Sequence, residues 1–247
     1  MTEAEWLACD DRVALQSFLQ HHPQAPRYQR LERRLKLFTC GVCRLVWDTF
    51  PSAACRHAVV IAEAYADGRV GANALAKAHA VVSSLPVPVG AGEEVVETPF
   101  GTMELPTGPA WEAQMAAHYA TSEPGGRYPA GETIGTATDA LHGPDCVIRA
   151  ATSLGTGTET SQAVTAIFRD IFGNPFRPVA FSPEWRTDTA VAIAAQMYIS
   201  RNFDGMPALS DALQEAGCDS DDIRSHCQGP GPHVRGCWVV DLVLGKE

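Results

Sequence analysis

Tyr28-Gln29-Arg30-Leu31-Glu32-Arg33-Arg34-Leu35-Lys36-Leu37-Phe38-Thr39-Cys40-Gly41-Val42-Cys43-Arg44-Leu45-Val46-Trp47-Asp48-Thr49-Phe50 carries the strongest pattern in the 247-residue chain. Leu31, Leu35, Phe38, Val42 and Leu45 recur at steps of four and three, the repeat of a helix with one apolar face. At about 100° per residue, Lys36, Cys40, Cys43, Trp47 and Phe50 form a second stripe nearly opposite the first, with Arg33, Arg34, Arg44 and Asp48 on the polar arc between them. The spacing predicts one helix over 28–50 that touches protein on two sides.

Outward from it the same periodicity continues. Thr2 and Glu5 have the form of a capping box that starts a short helix through Trp6, and a second helix is expected over 12–19. Downstream, 55–67 and 72–85 read as a helical pair, the first closed by Gly68. Between Pro86 and Pro109 prolines and glycines punctuate short apolar runs, and Val95-Val96-Glu97-Thr98 and Thr102-Met103-Glu104-Leu105 flank a Pro-Phe-Gly turn. A helix over 110–121 and a second breaker cluster over 123–129 follow. Further helices are expected over 133–141, 146–154 and 158–172. Ser182-Pro183 is expected to open one that runs to about residue 200, Met206-Pro207 another that Gly217 closes, and Asp219 to cap a third. For 237–244, helix and strand fit equally. The expected fold is all-α, with a loop-rich or small β-hairpin insertion over 86–131, in one domain of residues 1–247 whose N- and C-terminal parts pack together.

Hydrophobic residues make up 45% of the chain, ample for a core. With 29 acids against 19 bases, nucleic acid is a poor partner and protein a better one. Arg27, Arg30, Arg33, Arg34 and Lys36 are expected to pair with acids on a neighbouring helix rather than with phosphates. The first residues carry acids where a signal peptide needs bases, and no apolar run is long enough to span a bilayer, so the expected setting is the cytoplasm, without membrane attachment. There the eight cysteines stay thiols.

Five metal-competent side chains crowd the end of the chain: Cys218, His226, Cys227, His233 and Cys237, around a loop over 229–236 rich in proline and glycine. Upstream, Cys40 and Cys43 stand at i and i+3, which turns both sulfurs to one side of a helix. Zinc takes such soft and borderline donors in fours, so a zinc site is expected from Cys40 and Cys43 with two of His226, Cys227, His233 and Cys237. Two other uses of the same thiols stand beside it: plain packing, because Cys40 shares its stripe with Trp47 and Phe50, and a reactive thiol. A thiol enzyme is writable with Cys227 or Cys237 as nucleophile, His233 as base and Asp241 as orienting group, but His142 and Cys146 compose as well. Arg177 and Asp241 are charges inside apolar runs, so each is expected to be buried with a partner, Asp241 with Arg177 or Arg235. The loop also presents His233 and Arg235 as candidate binding residues.

The two ends resemble an uncharacterised bacterial family of paralogues. The resemblance rests on Thr2-Glu3-Ala4-Glu5-Trp6-Leu7, Leu37-Phe38-Thr39-Cys40-Gly41-Val42-Cys43-Arg44, Asp170-Ile171-Phe172-Gly173-Asn174-Pro175-Phe176-Arg177-Pro178 and the segment 229–244, which includes Gly231-Pro232-His233-Val234-Arg235-Gly236-Cys237-Trp238-Val239-Val240-Asp241-Leu242. It implies a mainly helical fold and names no activity. The function expected from these residues is a cytosolic helical interaction or regulatory module stabilised by a Cys/His zinc site. The alternative is a metal- or thiol-dependent enzyme with its site near the 226–237 loop.

Overall fold

The computed structural model describes residues 1–21, 28–98, 101–122 and 136–246. In chain order the elements are α1 (Glu3–Ala8), α2 (Arg12–His21), α3 (Tyr28–Cys43), α4 (Ala53–Ala66), α5 (Ala72–Ser83), β1 (Gly92–Thr98), β2 (Gly101–Thr107), α6 (Pro109–Thr121), α7 (Thr136–Ser153), α8 (Gly157–Phe172), α9 (Asp188–Ser200), α10 (Met206–Glu215), α11 (Asp221–Gln228) and α12 (Trp238–Leu244). The chain is therefore mainly helical, and among the described residues its β structure is one antiparallel hairpin whose register runs from Gly92 opposite Thr107 to Thr98 opposite Gly101. The expected turn at Pro99-Phe100 and the breaker cluster over 123–129 lie outside the described residues.

Side-chain caps explain four of the helix starts. Thr2 and Glu5 form the reciprocal capping box at α1. Ser52, Thr187 and Ser220 each accept a backbone N–H with the side-chain oxygen at the starts of α4, α9 and α11. Four expectations are corrected. The helix over 28–50 ends at Cys43, and Arg44–Thr49 tightens into 3-10 turns broken at Val46, because Pro51 forces Phe50 into an extended conformation. The two helices over 133–141 and 146–154 are one helix, α7, that runs through Pro144. Ser182-Pro183 opens only the 3-10 turn Pro183–Trp185, and Thr187 caps α9. Ser220, not Asp219, caps α11. The ambiguous last segment is helical and ends at Gly245, whose φ is +65°.

The chain divides into two compact units, Leu31–Val164 and Met1–Arg30 with Thr165–Glu247. In the unit Leu31–Val164, α4 packs on α5 and α6, and α6 on α7. Ala113, Ala116, Ala117 and Ala120 are fully buried along α6, so small side chains let α7 approach. Gly143 of α7 shows how close: a Cβ there would stand 2.6 Å from Thr39 Cγ2. Of the basic stretch, Arg33 meets an acid as expected, whereas Lys36 is held by a backbone carbonyl instead. Arg33 pairs with Asp67 at 3.3 Å, Lys36 donates to the Ser122 carbonyl at 2.6 Å, and Arg44 meets Glu63 at 2.7 Å. Arg27 and the Arg30 side chain lie outside the described residues.

In the other unit, Trp6 is fully buried, with Phe18 and Phe168 at ring separations of 5.8 and 6.1 Å. Arg169 donates to the carbonyls of Trp6 and Cys9, which ties the N-terminal helix to α8. A second core joins α9, α10, α11 and α12 through Leu209, Leu213, Ile223, Val239, Val240 and Val243. Arg177 is corrected from the buried role expected of it. It lies exposed in the turn after α8, pairs with Glu3 at 2.5 Å and Asp222 at 3.6 Å, and so does not serve Asp241. Asp241 is buried as expected. Among the described residues no helix is long and apolar enough to cross a membrane.

Candidate metal centre

Four side chains from separate pieces of backbone converge in the unit built from the chain's two ends: Asp170, His226, His233 and Cys237. Each has one ligand atom within 4.8 Å of the other three, so the group can hold a metal ion.

Asp170 projects from the last turn of α8, where the helix dipole is negative and a carboxylate is unfavourable. It is almost wholly buried, which also opposes its charge. Three donors answer: His233 Nδ1 at 2.8 Å and His226 Nε2 at 3.1 Å lie against Oδ1, and the Val234 N–H donates to Oδ2 at 2.9 Å. Burial acts to raise the Asp170 pKa, yet the bonds and charges of the two imidazoles outweigh it and the net displacement is downward. The carboxylate is therefore built to be ionised.

His226 comes from the last turn of α11, capped at its start by Ser220. Its ring packs between His233 and Trp238, at centroid distances of 4.8 and 5.1 Å, which fixes Nε2 3.2 Å from Cys237 Sγ. Cys237 precedes α12 and is fully buried. Burial first, then the Asp170 charge, push its thiol well above the usual range, so it stays protonated unless a cation takes the proton's place. Trp238 closes the arrangement by packing on Gly173, whose φ of +68° ends α8 and whose Cβ, if present, would meet the indole at 3.4 Å. The words near Asp170 and near Cys237 thus meet in space.

Of the residues singled out in the sequence, His226, His233 and Cys237 come together, and Asp170 joins them. Cys40 and Cys43 belong to the unit Leu31–Val164 and are not members of this group. They are buried there, Cys40 Sγ faces the Val59 carbonyl at 3.8 Å, and the Cys43 thiol is pushed well up by burial and then by the neighbouring Cys40 and Cys146. Cys227 is buried in α11, and burial lifts its thiol to about 12. Cys146 is lifted to about 12 in the same way, and the His142 side chain lies outside the described residues. Thiols held so high are poor nucleophiles. Arg235 leaves the loop inward: it donates to the Tyr198 carbonyl at 3.0 Å and lies 4.7 Å over that ring.

No family model, curated protein or solved structure matches this chain. The geometry of the centre carries the functional argument by itself.

Proposed function

We propose that this protein is a helical interaction module whose end-to-end unit is stapled by zinc, bound by Asp170, His226, His233 and Cys237. The observation that carries the reading is the spacing of the four donors. A tetrahedral zinc with bonds of about 2.0 Å to nitrogen and oxygen and about 2.3 Å to sulfur separates its ligands by roughly 3.3 to 3.5 Å. Three of the separations here are 2.8, 3.1 and 3.2 Å, and none among the four exceeds 4.8 Å. Two imidazoles and a thiolate favour zinc over calcium or magnesium, which take oxygen. The side chains are 3, 18 and 9% exposed at Asp170, His226 and His233, the closed form of a structural site.

A protein partner suits the acidic chain better than nucleic acid does. The resemblance of the ends supports membership of a bacterial family of paralogues, and a cytoplasmic setting would keep Cys237 reduced for metal. The decisive experiment is metal analysis of the 247-residue chain purified without a histidine tag. About one zinc per chain is expected, and Cys237→Ser or His226→Ala should lower zinc affinity about tenfold to a hundredfold or more. A wild-type chain that takes up no zinc overturns the proposal.

A metal-dependent enzyme is the second reading, favoured by the groove that His233 borders. It requires an exchangeable ligand on the metal. A cobalt-substituted chain whose visible spectrum stays four-coordinate when azide is added would exclude it.

A further inference from the structure

His79 of α5 and His118 of α6 meet where the two helices pack, with ring centroids 4.3 Å apart. Each ring is held by a hydroxyl of the opposite helix. His79 Nδ1 lies 3.3 Å from Thr121 Oγ1, and His118 Nδ1 lies 3.1 Å from Ser83 Oγ. Both hydroxyls donate to backbone carbonyls of their own helix, Ser83 to His79 at 2.8 Å and Thr121 to His118 at 2.9 Å. A carbonyl only accepts and a hydroxyl has one proton, so each hydroxyl meets its imidazole as an acceptor. Both rings therefore donate from Nδ1, and a neutral imidazole that does so carries its lone pair on Nε2. Neither Nε2 has a hydrogen-bond partner among the described residues. Both side chains are only part-buried, so solutes in water can reach them. Two bare imidazole nitrogens thus stand side by side, their rings set by a reciprocal clamp in which each helix supplies one histidine and, a turn later, one hydroxyl.

We infer that His79 and His118 form a second metal site, an open one that takes a late first-row ion, copper(II) or nickel(II), on the two Nε2 atoms with water in the remaining positions. With metal–nitrogen bonds of about 2.0 to 2.1 Å, as for zinc, two ligands of one ion stand roughly 3 to 4 Å apart, the scale of the contact between these rings. A metal-bound imidazole almost always gives its other N–H to an oxygen or a water, which fixes its tautomer and direction. Thr121 and Ser83 supply that oxygen before any ion arrives. Imidazole suits copper, nickel and zinc, with affinity highest for copper, whereas magnesium and calcium take oxygen. Two protein nitrogens hold an ion less firmly than the four donors of the terminal centre do. The new site therefore loads and empties with free ion, and zinc kept through purification counts the terminal centre alone. His79 and His118 belong to the unit Leu31–Val164 and the terminal centre to the other, so the two sites stand or fall separately.

The test titrates nickel(II), which leaves thiols reduced, into the zinc-loaded full chain and into a metal-stripped chain carrying His226→Ala and Cys237→Ser. The ring signals of His79 and His118 are followed by nitrogen-15 NMR. Before nickel is added, both rings should read as the Nδ1–H tautomer. Nickel should then broaden both ring signals and slow amide exchange in α5 and α6, because an ion that binds only the folded state stabilises it. His79→Asn and His118→Asn keep a donor near the Nδ1 position and remove Nε2, so each should weaken nickel binding at least about tenfold with little change in the metal-free urea midpoint. Ser83→Ala, which removes only the clamp on His118, should weaken it less. Cobalt(II) should bind more weakly than nickel(II), and calcium not measurably. Rings that read as Nε2–H overturn the inference. So does nickel binding that is equal in the wild type and both Asn variants, or nickel effects confined to α10, α11 and α12, with solvent then the partner of the two nitrogens. If the Asn variants fail to fold, the wild-type ring signals and the Ser83→Ala comparison decide the same question. None of these outcomes touches the zinc reading, and a chain that takes up no zinc at its terminal centre leaves this site standing.

Discussion

Single residues decide whether buried charge in this molecule is an asset or a fault. Asp241 is 1% exposed, and with Arg177 engaged by Glu3 and Asp222, Arg235 is its expected partner. Arg235 is buried in the same unit, and its guanidinium and the Lys246 ammonium both lie over the Tyr198 ring, at 4.7 and 4.8 Å. Two cations over one ring need a nearby anion. Asp241→Ala should therefore destabilise by about 3 kcal/mol or more in urea unfolding. A double-mutant cycle with Arg235→Ala should return a coupling of about 1 to 3 kcal/mol. A loss within about 0.5 kcal/mol would show that the acid does not depend on a partner. The same reasoning marks what sequence could and could not show of the metal centre. His226, His233 and Cys237 were legible because donors of two kinds, imidazole and thiol, crowd in and around a short loop. Asp170 was not, although it carries the very signal that singled out Asp241: it is a charge between Ile167, Phe168, Ile171 and Phe172 on a helix whose apolar residues are buried. The pairing of Cys40 and Cys43 with the terminal cluster rested on helix-face spacing, which says which side a sulfur takes but not which element will cover it.

At the scale of elements, helices were readable where end chemistry and periodicity agreed, as at α1 with its capping box and at α10, opened at Met206-Pro207 and closed before Gly217, and less so where distant packing decides. Pro144 should interrupt α7, yet the helix continues through it, with Gly143 packed so closely on Thr39 that a Cβ there would stand 2.6 Å away. Gly173 is the reverse case, a local stop that controls a distant contact. Gly173→Ala would place a methyl in a left-handed backbone and 3.4 Å from Trp238, so it should cost about 1 to 2 kcal/mol and weaken zinc binding through the displaced start of α12. Competition with a chromogenic chelator reads the second effect. The contact between α5 and α6 carries a pH dependence of its own. His118 lies 4.3 Å from the His79 ring and 3.1 Å from the Ser83 hydroxyl oxygen, and burial, then His79, hold its pKa down at about 4. An unfolded histidine titrates near 6.5, so as pH falls from about 6.5 to about 4 the unfolded chain takes up a proton that the folded one refuses. This contribution is full above that window and is lost within it, on the order of 2 kcal/mol once its partial exposure is allowed for. His118→Gln should flatten the fall in urea midpoint across that window relative to wild type, and parallel profiles would show that His118 does not carry it.

For the molecule as a whole, a metal held by Asp170, His226, His233 and Cys237 would act on one unit and not on the other. The four ligands all belong to the unit of Met1–Arg30 and Thr165–Glu247, while the unit Leu31–Val164 has its own core along α4, α5, α6 and α7. A ligand that binds only the folded state stabilises it by RT ln(1 + [L]/Kd), about 4 kcal/mol at a thousandfold excess over Kd. Zinc removed by chelator should withdraw that stabilisation from the first unit alone. Hydrogen exchange can see the difference, because local opening reports the stability of each region separately. Amides of α10, α11 and α12 should exchange about a hundredfold to a thousandfold faster in the zinc-free chain, the factor that about 3 to 4 kcal/mol implies. Amides of α4 and α6 should keep their protection. Cys237→Ser should reproduce the first change without a chelator and should make added zinc nearly silent. Equal loss of protection in both units would show that they unfold as one and that the metal's effect is not local. Protection unchanged everywhere, in a chain shown to have lost its zinc, would mean that the hydrogen bonds of Asp170 with His226, His233 and Val234 suffice to hold the four pieces of backbone together, and that the metal serves chemistry or recognition rather than the fold.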